Sequence, residues 1–328
     1  MEDMNFSVLQ GKTVLITGGA GFIGTHLTER LLQLGASVLC ADNFSTGSET
    51  NIQPFLVSPS YVLMRTDVNL FEDIASVFAS HHIDYVFHAA AVVGVRNVIE
   101  RPLEVFRDLE GIKYLLALAH AHRVKKVVFA SSSEAYGEPT RLPEEESGHL
   151  NVDVNDPYGL TKLVGENMMR NYWKFYGLST TSLRFFNVYG PRQISTAYGF
   201  VAGIFMEKAL RGEPFTIFGD GTQTRDFIFV TDNVELELRA LLSDAANGET
   251  INVGSGRQTT VLELAERVAR LAGVEPKLNF QPKRSMEIKY RCPDITKMKQ
   301  LLGYEPKVSL DEGLKETFEW YKQRRAAS

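Results

Sequence analysis

The chain has 328 residues, of which 44% are hydrophobic and 23% charged, and its formal net charge is -5. This composition indicates a globular protein with a sizeable core and excludes the disordered class. The negative charge argues against nucleic-acid binding, and two cysteines are too few for a disulfide framework. Apolar runs stay below the roughly 18 residues of a membrane span, and the acidic start does not resemble a signal peptide. We therefore expect a cytoplasmic protein.

Short apolar runs alternate with longer segments along the first half of the chain. Residues 21–34 carry apolar side chains at helical spacing, and the later gaps are long enough for crossover helices. This alternation predicts an α/β fold, a Rossmann-type doubly wound parallel sheet. The short apolar runs do not alternate with polar residues, which is typical of strands that are buried on both faces. These predicted strands lie at residues 13–17, 37–41, 61–65, 84–89 and 126–131.

The pattern changes after about residue 190, where we expect a smaller C-terminal α/β substrate-binding region. We divide the chain into a dinucleotide-binding domain with the catalytic residues, 1–190, and a mainly substrate-binding region, 191–328, with a discontinuous boundary. The second region has predicted helices at residues 201–210, 261–271 and 310–322, and predicted strands at 215–218 and 250–253.

A glycine-rich turn follows the first predicted strand and opens the first predicted helix, with the sequence GGAGFIG at residues 18–24. Gly18 allows the tight turn, Gly21 lets the backbone approach a pyrophosphate, and Gly24 lets helix and strand pack closely. Phe22 and Ile23 begin the helix, whose amides and dipole favour phosphate. The pattern predicts a dinucleotide site.

Acidic and small residues end the next strands. Asp42, followed by Asn43, ends the second strand, where a carboxylate binds ribose hydroxyls and repels a 2′-phosphate, so NAD is favoured over NADP. Asp67, before Val68, is placed either to accept a hydrogen bond from adenine or to cap the helix that follows.

The fourth predicted strand ends in a run of small residues. Ala89 and Ala90 would let the backbone lie against the cofactor, and we interpret His88 as packed rather than catalytic.

Tyr158 and Lys162 lie four residues apart and so share one helical face. An ammonium near a phenol favours the phenolate, so we expect the pKa of Tyr158 to move toward the working range of a base. The fifth strand ends in Ser132, Ser133 and Glu134, at the sheet edge where ligands bind in doubly wound folds. Ser132 is placed to share a proton with a substrate hydroxyl.

These motifs together resemble the extended short-chain dehydrogenase/reductase superfamily, in its NAD-dependent nucleotide-sugar epimerase/dehydratase branch. The segments RFFNVYGP at 184–191 and GDGTQTRDF at 219–227 are further matches, and the resemblance covers nearly the whole chain. It implies that Tyr158, Lys162 and Ser132 are catalytic, with NAD as cofactor. It also implies a nucleotide-diphosphate sugar substrate, bound by Asn187, Arg192, Arg225, Arg284 and Arg291.

The resemblance leaves the reaction open among three outcomes of a transient 4-keto sugar. Glu134 resembles a glutamate of dehydratases and UDP-glucuronate decarboxylases, in which Ser133 and Glu134 would be catalytic. Arg291 resembles a residue of the decarboxylases, where its guanidinium would bind a sugar carboxylate. The segment at 224–227 has the epimerase/dehydratase form, and the segment at 92–96 is more similar to 4-epimerases. Asp108 stands where this branch usually has asparagine. We place 4-epimerisation of an NDP-hexose first, with dehydration or decarboxylation as alternatives. A non-catalytic NAD-binding protein is the remote alternative.

The resemblance also implies a homodimer through the helices at about residues 103–121 and 158–176. From the net charge and the short apolar runs we expect neither nucleic acid nor membrane as a partner. A metal is not expected, because the histidine pairs at 81–82 and 120–122 lack a matching ligand cluster.

Overall fold

Parallel strands form the centre of the molecule, in a computed structural model that describes residues 4–92, 100–194, 200–283 and 288–327. The five predicted runs of the first half are all strands, and eight more strands follow. The bounds are β1 Thr13–Thr17, β2 Ser37–Asp42, β3 Tyr61–Arg65, β4 Tyr85–His88, β5 Lys126–Ser132, β6 Ser179–Phe185, β7 Asn187–Tyr189, β8 Phe215–Phe218, β9 Thr224–Arg225, β10 Phe227–Phe229, β11 Glu249–Val253, β12 Thr259–Thr260 and β13 Leu278–Gln281.

Seven strands pair into one parallel sheet in the order β11-β6-β5-β4-β1-β2-β3. The direction of winding reverses beside β1, so a crevice opens at the carboxyl ends of β1 and β4. This confirms the predicted doubly wound Rossmann-type sheet. Three two-stranded pairings, β10-β7, β12-β9 and β13-β8, lie outside it.

Helices connect these strands and cover the sheet. Their bounds are α1 Phe22–Gln33, α2 Glu49–Ile52, α3 Phe71–Ser80, α4 Pro102–Phe106, α5 Asp108–Ala121, α6 Pro157–Tyr176, α7 Val201–Arg211, α8 Val230–Leu242, α9 Val261–Ala272, α10 Thr296–Leu302 and α11 Leu310–Ala327. The helix predicted at 103–121 is thus two helices, because the chain turns at Arg107. Among the described residues, none of the helices is long and apolar enough to cross a bilayer.

Apolar side chains pack on both faces of the sheet. One cluster joins α1 and α8 to the later helices, and the other joins α3, α5 and α6 to the opposite face. The strand predicted at 250–253 is β11, which pairs with β6 in the main sheet. The chain after residue 190 therefore contributes to the first sheet, and the division at residue 190 stays a prediction.

Candidate active site

The glycine-rich turn joins β1 to α1 with no room for larger residues. Gly18 has a φ of 71°, and a Cβ there would lie 2.8 Å from the backbone nitrogen of Ala90. Gly21 precedes α1, and no side chain caps the first amides of the helix. The helix N-terminus is therefore open toward the cavity that Gly21, Phe22, Ile23 and Gly24 line.

Asp42 lies at the end of β2 and is 7% exposed. Its carboxylate accepts hydrogen bonds from the backbone of Ala20, at 2.9 Å, and of Phe44, at 2.7 Å. Burial raises the pKa of Asp42, and these two backbone donors act in the other direction. Asp42 thus braces the glycine-rich turn while it lines the same cavity, next to the exposed Asn43.

The ends of β3 and β4 complete this part of the wall. Asp67 accepts a hydrogen bond from Asn69 at 3.0 Å, but α3 begins only at Phe71, so Asp67 is not the helix cap. Asp67, Val68, Ala89 and Ala90 all line the cavity.

Helix α6 brings Tyr158 and Lys162 to the opposite wall. Its N-cap, Asp156, accepts hydrogen bonds from the backbone of Tyr158 and of Gly159, and proline occupies the first turn. A Cβ at Gly159 would lie 2.8 Å from the carbonyl oxygen of Glu134, so glycine lets the helix approach the end of β5. The local sequence thus fixes the catalytic helix against the serine cluster.

The Lys162 ammonium lies 5.5 Å from the ring centre of Tyr158 and donates to the carbonyl of Ala130 at 2.8 Å. Burial lowers the pKa of Lys162 to about 8, with Asp108 acting in the other direction. Burial raises the pKa of Tyr158, although the Ser132 side chain opposes this. The pKa of Tyr158 thus lies above its ordinary value rather than near the working range, because desolvation of the phenolate is the largest effect, and the expectation that Lys162 favours the phenolate stays a prediction.

The end of β5 holds the three remaining candidate catalytic residues. Ser132 and Ser133 are buried, and the Ser132 hydroxyl accepts a hydrogen bond from the backbone of Glu134 at 3.2 Å. Glu134 leaves 45% of its side chain exposed in the cavity. Its carboxylate is 3.0 Å from the guanidinium of Arg291.

Arg291 is 2% exposed and has a second carboxylate partner. Its guanidinium donates to Glu144 at 2.7 Å and to the carbonyl of Gly137 at 3.1 Å. Burial opposes the charge of Arg291, but Glu134 and Glu144 outweigh it and raise the pKa of Arg291. We call Glu134, Arg291 and Glu144 the carboxylate–guanidinium cluster.

The predicted substrate-binding residues that the structure describes all line the same cavity. Asn187 begins β7 and donates from its side chain to the carbonyl of Asp226 at 3.0 Å. Arg192 pairs with Glu29 at 2.7 Å, and Arg225 donates to the carbonyl of Thr224 at 2.8 Å. Arg284 and the segment 93–96 lie outside the described residues.

One cavity of about 700 Å³ collects every predicted site residue that the structure describes. Its volume falls in the range of small-molecule and cofactor pockets. An open helix N-terminus, a carboxylate at the end of β2 and the small residues after β4 fit a dinucleotide bound along the ends of the strands.

Comparisons with known proteins agree with this geometry. A family model described as the NAD dependent epimerase/dehydratase family matches residues 14–254. The chain belongs to this family. It is an NAD-dependent enzyme with a Rossmann-type fold.

Its relatives in the family carry out more than one reaction. The chain is 34% identical over 312 residues to the UDP-glucose 4-epimerase of Mycolicibacterium smegmatis, covering 94% of this chain and 98% of the relative. It is 35% identical over 323 residues to the UDP-N-acetyl-alpha-D-glucosaminuronate decarboxylase of Bacillus cytotoxicus, covering 95% and 98%. A solved structure of the UDP-glucose 4-epimerase from Thermotoga maritima with UDP-glucose superimposes with a TM-score of 0.90 at 35% identity, covering 95% and 99%. Overall identity therefore does not separate the reactions of this epimerase/dehydratase family.

Two acidic residues of this epimerase/dehydratase family member gain a role from the structure. Glu144, in the cluster, is the first of three consecutive glutamates. The sequence does not distinguish it from the exposed Glu145, so its role was not predicted. Asp108 lines the cavity and accepts hydrogen bonds from the backbone of Val92, at 2.7 Å, and the side chain of Asn69, at 3.4 Å. An asparagine at this position would have one side-chain oxygen to accept hydrogen bonds. Aspartate has two, and each of them accepts from one of these donors.

Proposed function

We propose that this enzyme is a 4-epimerase of a nucleotide-diphosphate sugar, with a neutral UDP-hexose as its substrate. The catalytic group is Tyr158, which takes the proton of the sugar C4 hydroxyl. Ser132 assists by sharing a hydrogen bond with the same hydroxyl. Lys162 supplies the nearby positive charge, 5.5 Å from the phenol ring centre. Bound NAD supplies the acceptor, and afterwards the donor, of a hydride at C4.

The lining of the cavity supports the substrate class. Arg225 brings a guanidinium and Asn187 an amide to this lining, and Arg192 lines the same cavity while its guanidinium pairs with Glu29 of α1. Guanidinium groups bind phosphate oxygens through charge-assisted and often bidentate hydrogen bonds. We assign these residues to the diphosphate of the substrate.

The carboxylate–guanidinium cluster carries the choice of reaction. A decarboxylase must accommodate a sugar carboxylate, and Arg291 is the predicted partner for it. This guanidinium already faces Glu134 at 3.0 Å and Glu144 at 2.7 Å, so a third carboxylate would meet two others. A neutral hexose meets no such repulsion, and its 4-keto form needs no further base to return hydride on the other face. The cluster therefore favours 4-epimerisation.

Dehydration is the second candidate, and Glu134 is the observation that favours it. Its carboxylate lines the cavity beside Ser132 and Ser133, where a base for a C5 proton would be required. Arg291 holds this carboxylate by an ion pair at 3.0 Å. Dehydration would use Glu134 in each turnover, whereas epimerisation would not.

The products of a substrate panel test the proposal. The NAD-loaded enzyme is incubated with UDP-, dTDP-, GDP- and CDP-hexoses and with UDP-glucuronate, and products are separated and weighed by mass spectrometry. We expect a new sugar of unchanged mass from a UDP-hexose. Loss of water would instead establish the dehydratase, and loss of carbon dioxide from the uronate would establish the decarboxylase.

We also propose that the protein is a homodimer formed through α5 and α6 and the adjoining α4. These helices expose apolar side chains to solvent, with Leu103 at 79% and Phe175 at 67% exposure. Exposed apolar surface of this kind marks protein interfaces. The cytoplasmic location stays a prediction, supported by two buried free thiols, Cys40 and Cys292, which a reducing compartment maintains.

A further inference from the structure

Two buried side chains that each carry an unpaired polar atom line the same small void. The atoms are Nε2 of His88 and Oε2 of Glu237, and both residues are 2% exposed. Neither atom has a hydrogen-bond partner among the described residues. Both residues line a void of about 10 Å³, whose other lining residues are apolar or glycine.

The far side of each group is held in place, so neither can turn away from the void. The Glu237 carboxyl accepts a hydrogen bond at Oε1 from the side chain of Asn233, at 2.7 Å. The His88 ring is hydrogen-bonded through Nδ1 to the Thr17 hydroxyl at 2.7 Å and stacks on Phe129. The unpaired oxygen and nitrogen therefore stay directed at the void.

A water molecule matches both the size and the chemistry of this void. A volume of about 10 Å³ is close to the least that holds one water. Burial raises the pKa of Glu237 to about 8 and lowers the pKa of His88 to about 3, so both groups are neutral at pH 7. Water both donates and accepts, so it pairs with the carboxyl and with either tautomer of the ring.

We propose that one buried water occupies this void and joins the Glu237 carboxyl to the His88 ring, tying α8 through Thr17 to the cofactor wall. The path from Glu237 through the water, His88 and Thr17 ends at two backbone amides. The amide of Ala89 donates to the Thr17 carbonyl at 3.1 Å, and the amide of Ala90 donates to the Thr17 hydroxyl at 3.3 Å.

The path ends at a close packing contact of the glycine-rich turn. Ala90 packs so closely on Gly18 that a Cβ on the glycine would lie 2.8 Å from the Ala90 nitrogen. Ile23, Gly24 and Ala89 line both the void and the cofactor cavity. Glu237 is thus a positioning residue for the NAD site, although it lies outside the cavity.

A crystal structure of the NAD-loaded enzyme, at a resolution that shows ordered solvent, tests the water directly. We expect one water within hydrogen-bond distance of His88 Nε2 and Glu237 Oε2. An empty void, or a direct hydrogen bond between the two side chains, would overturn the proposal.

NAD affinity tests the tie to the cofactor wall, by calorimetric titration of enzyme stripped of cofactor. Glu237→Leu removes the hydrogen-bonding group, and we expect the dissociation constant for NAD to rise by about three- to tenfold. Glu237→Gln keeps a polar partner for the water, and its affinity should stay within about twofold of wild type.

Leu238→Ala is the matched control, because Leu238 is buried on the same helix and lines neither the void nor the cavity. It should lower the free energy of unfolding without changing NAD affinity. If Glu237→Leu binds NAD as the wild type does, or if Leu238→Ala weakens binding equally, the tie is refuted.

Discussion

At the scale of single residues, burial controls the proton chemistry of the catalytic helix. It favours the neutral form of both Tyr158 and Lys162, since it raises the pKa of the phenol and lowers the pKa of the ammonium to about 8. The lowered pKa of Lys162 still lies above 7, so Lys162 keeps its proton at pH 7. Tyr158 begins as a neutral phenol, because its pKa is raised. Tyr158 can therefore take the proton of the sugar hydroxyl only after its own proton has left, and the charged Lys162, 5.5 Å from the ring centre, favours that phenolate.

Tyr158→Phe tests this assignment. It removes the phenol oxygen and keeps the ring, so we expect turnover of the sugar to fall by roughly 10²–10⁴-fold. Bound NAD, measured by absorbance after release from the denatured enzyme, should be retained. Tyr304→Phe is the control, because its hydroxyl bonds to Asp232 at 2.7 Å away from the cavity lining, and it should leave turnover intact. Unimpaired turnover in Tyr158→Phe would contradict the mechanism.

Glu134→Gln separates the two candidate reactions at one side chain. The amide oxygen still accepts from Arg291, so the cluster is kept while the base is lost. For an epimerase we expect kcat to fall by less than about tenfold, against roughly 10²–10⁴-fold for a dehydratase that uses this base. Rates of product formation would be compared with those of Glu138→Gln, an exposed glutamate nearby. A loss of the larger size in Glu134→Gln alone would refute epimerisation.

The residues of the site were identifiable from sequence to the extent that their motifs are local. The glycine-rich turn and the Tyr158/Lys162 pair depend on short spacings that the chain itself imposes. Arg291 shows where this ends, because its neighbours Glu134 and Glu144 are about 150 positions away and reach it only through the tertiary fold. A guanidinium predicted to face a sugar carboxylate proves to face the protein's own carboxylates.

At the scale of elements, β6 and α8 were not predicted, and the reason is the same for both. The sequence of β6 is rich in hydroxyl residues, yet Thr180 and Thr181 are fully buried. Their hydroxyls donate to the carbonyls of Met169 and Ala246, each at 2.7 Å. In α8, Glu237 is buried beside Asn233. A polar pattern hides a buried element whenever its polar side chains find hydrogen-bond partners inside the fold.

The buried carboxyl of α8 should make the stability of the protein depend on pH. Unfolded, Glu237 ionises near its ordinary pKa of 4.5, whereas in the fold it stays protonated up to about pH 8. The unfolded state therefore releases its proton first, and the free energy of unfolding falls as pH rises between these values. The slope from this one group is at most about 1.4 kcal/mol per pH unit.

Glu237→Gln removes this contribution, so the variant should gain stability relative to wild type between pH 5 and pH 7.5. Urea unfolding of both proteins at the two pH values measures the difference. Parallel pH profiles for the two proteins would show that Glu237 does not titrate in this way.

At the scale of the whole molecule, the proposed dimer places α5 and α6 against a second copy. Val164→Asp puts a charge on the exposed face of α6, where Val164 is 39% exposed. Because a buried unpaired charge is costly, we expect this variant to sediment as a monomer in analytical ultracentrifugation. Val57→Asp makes the same change at an 89% exposed site away from these helices, and it should sediment as wild type. A dimeric Val164→Asp variant would place the interface elsewhere.

The overall architecture was largely predictable because the first five strands are apolar runs that all join one sheet. Strand β11 was also predicted, at 250–253, but not its place beside β6. Its apolar run marks a buried strand without saying which sheet it joins. Spatial neighbours separated by long stretches of chain leave no periodic trace in either segment.

The position of β11 has a consequence for how the protein is made. One edge of β6 is covered only by β11, which begins at Glu249, whereas β6 ends at Phe185. A nascent chain that has reached residue 190 therefore presents an open strand edge beside a nearly complete nucleotide site. Such an edge can template pairing with another chain. The ribosome must add more than sixty residues before β11 is complete and covers this edge of β6, so the edge is exposed to such pairing throughout that interval.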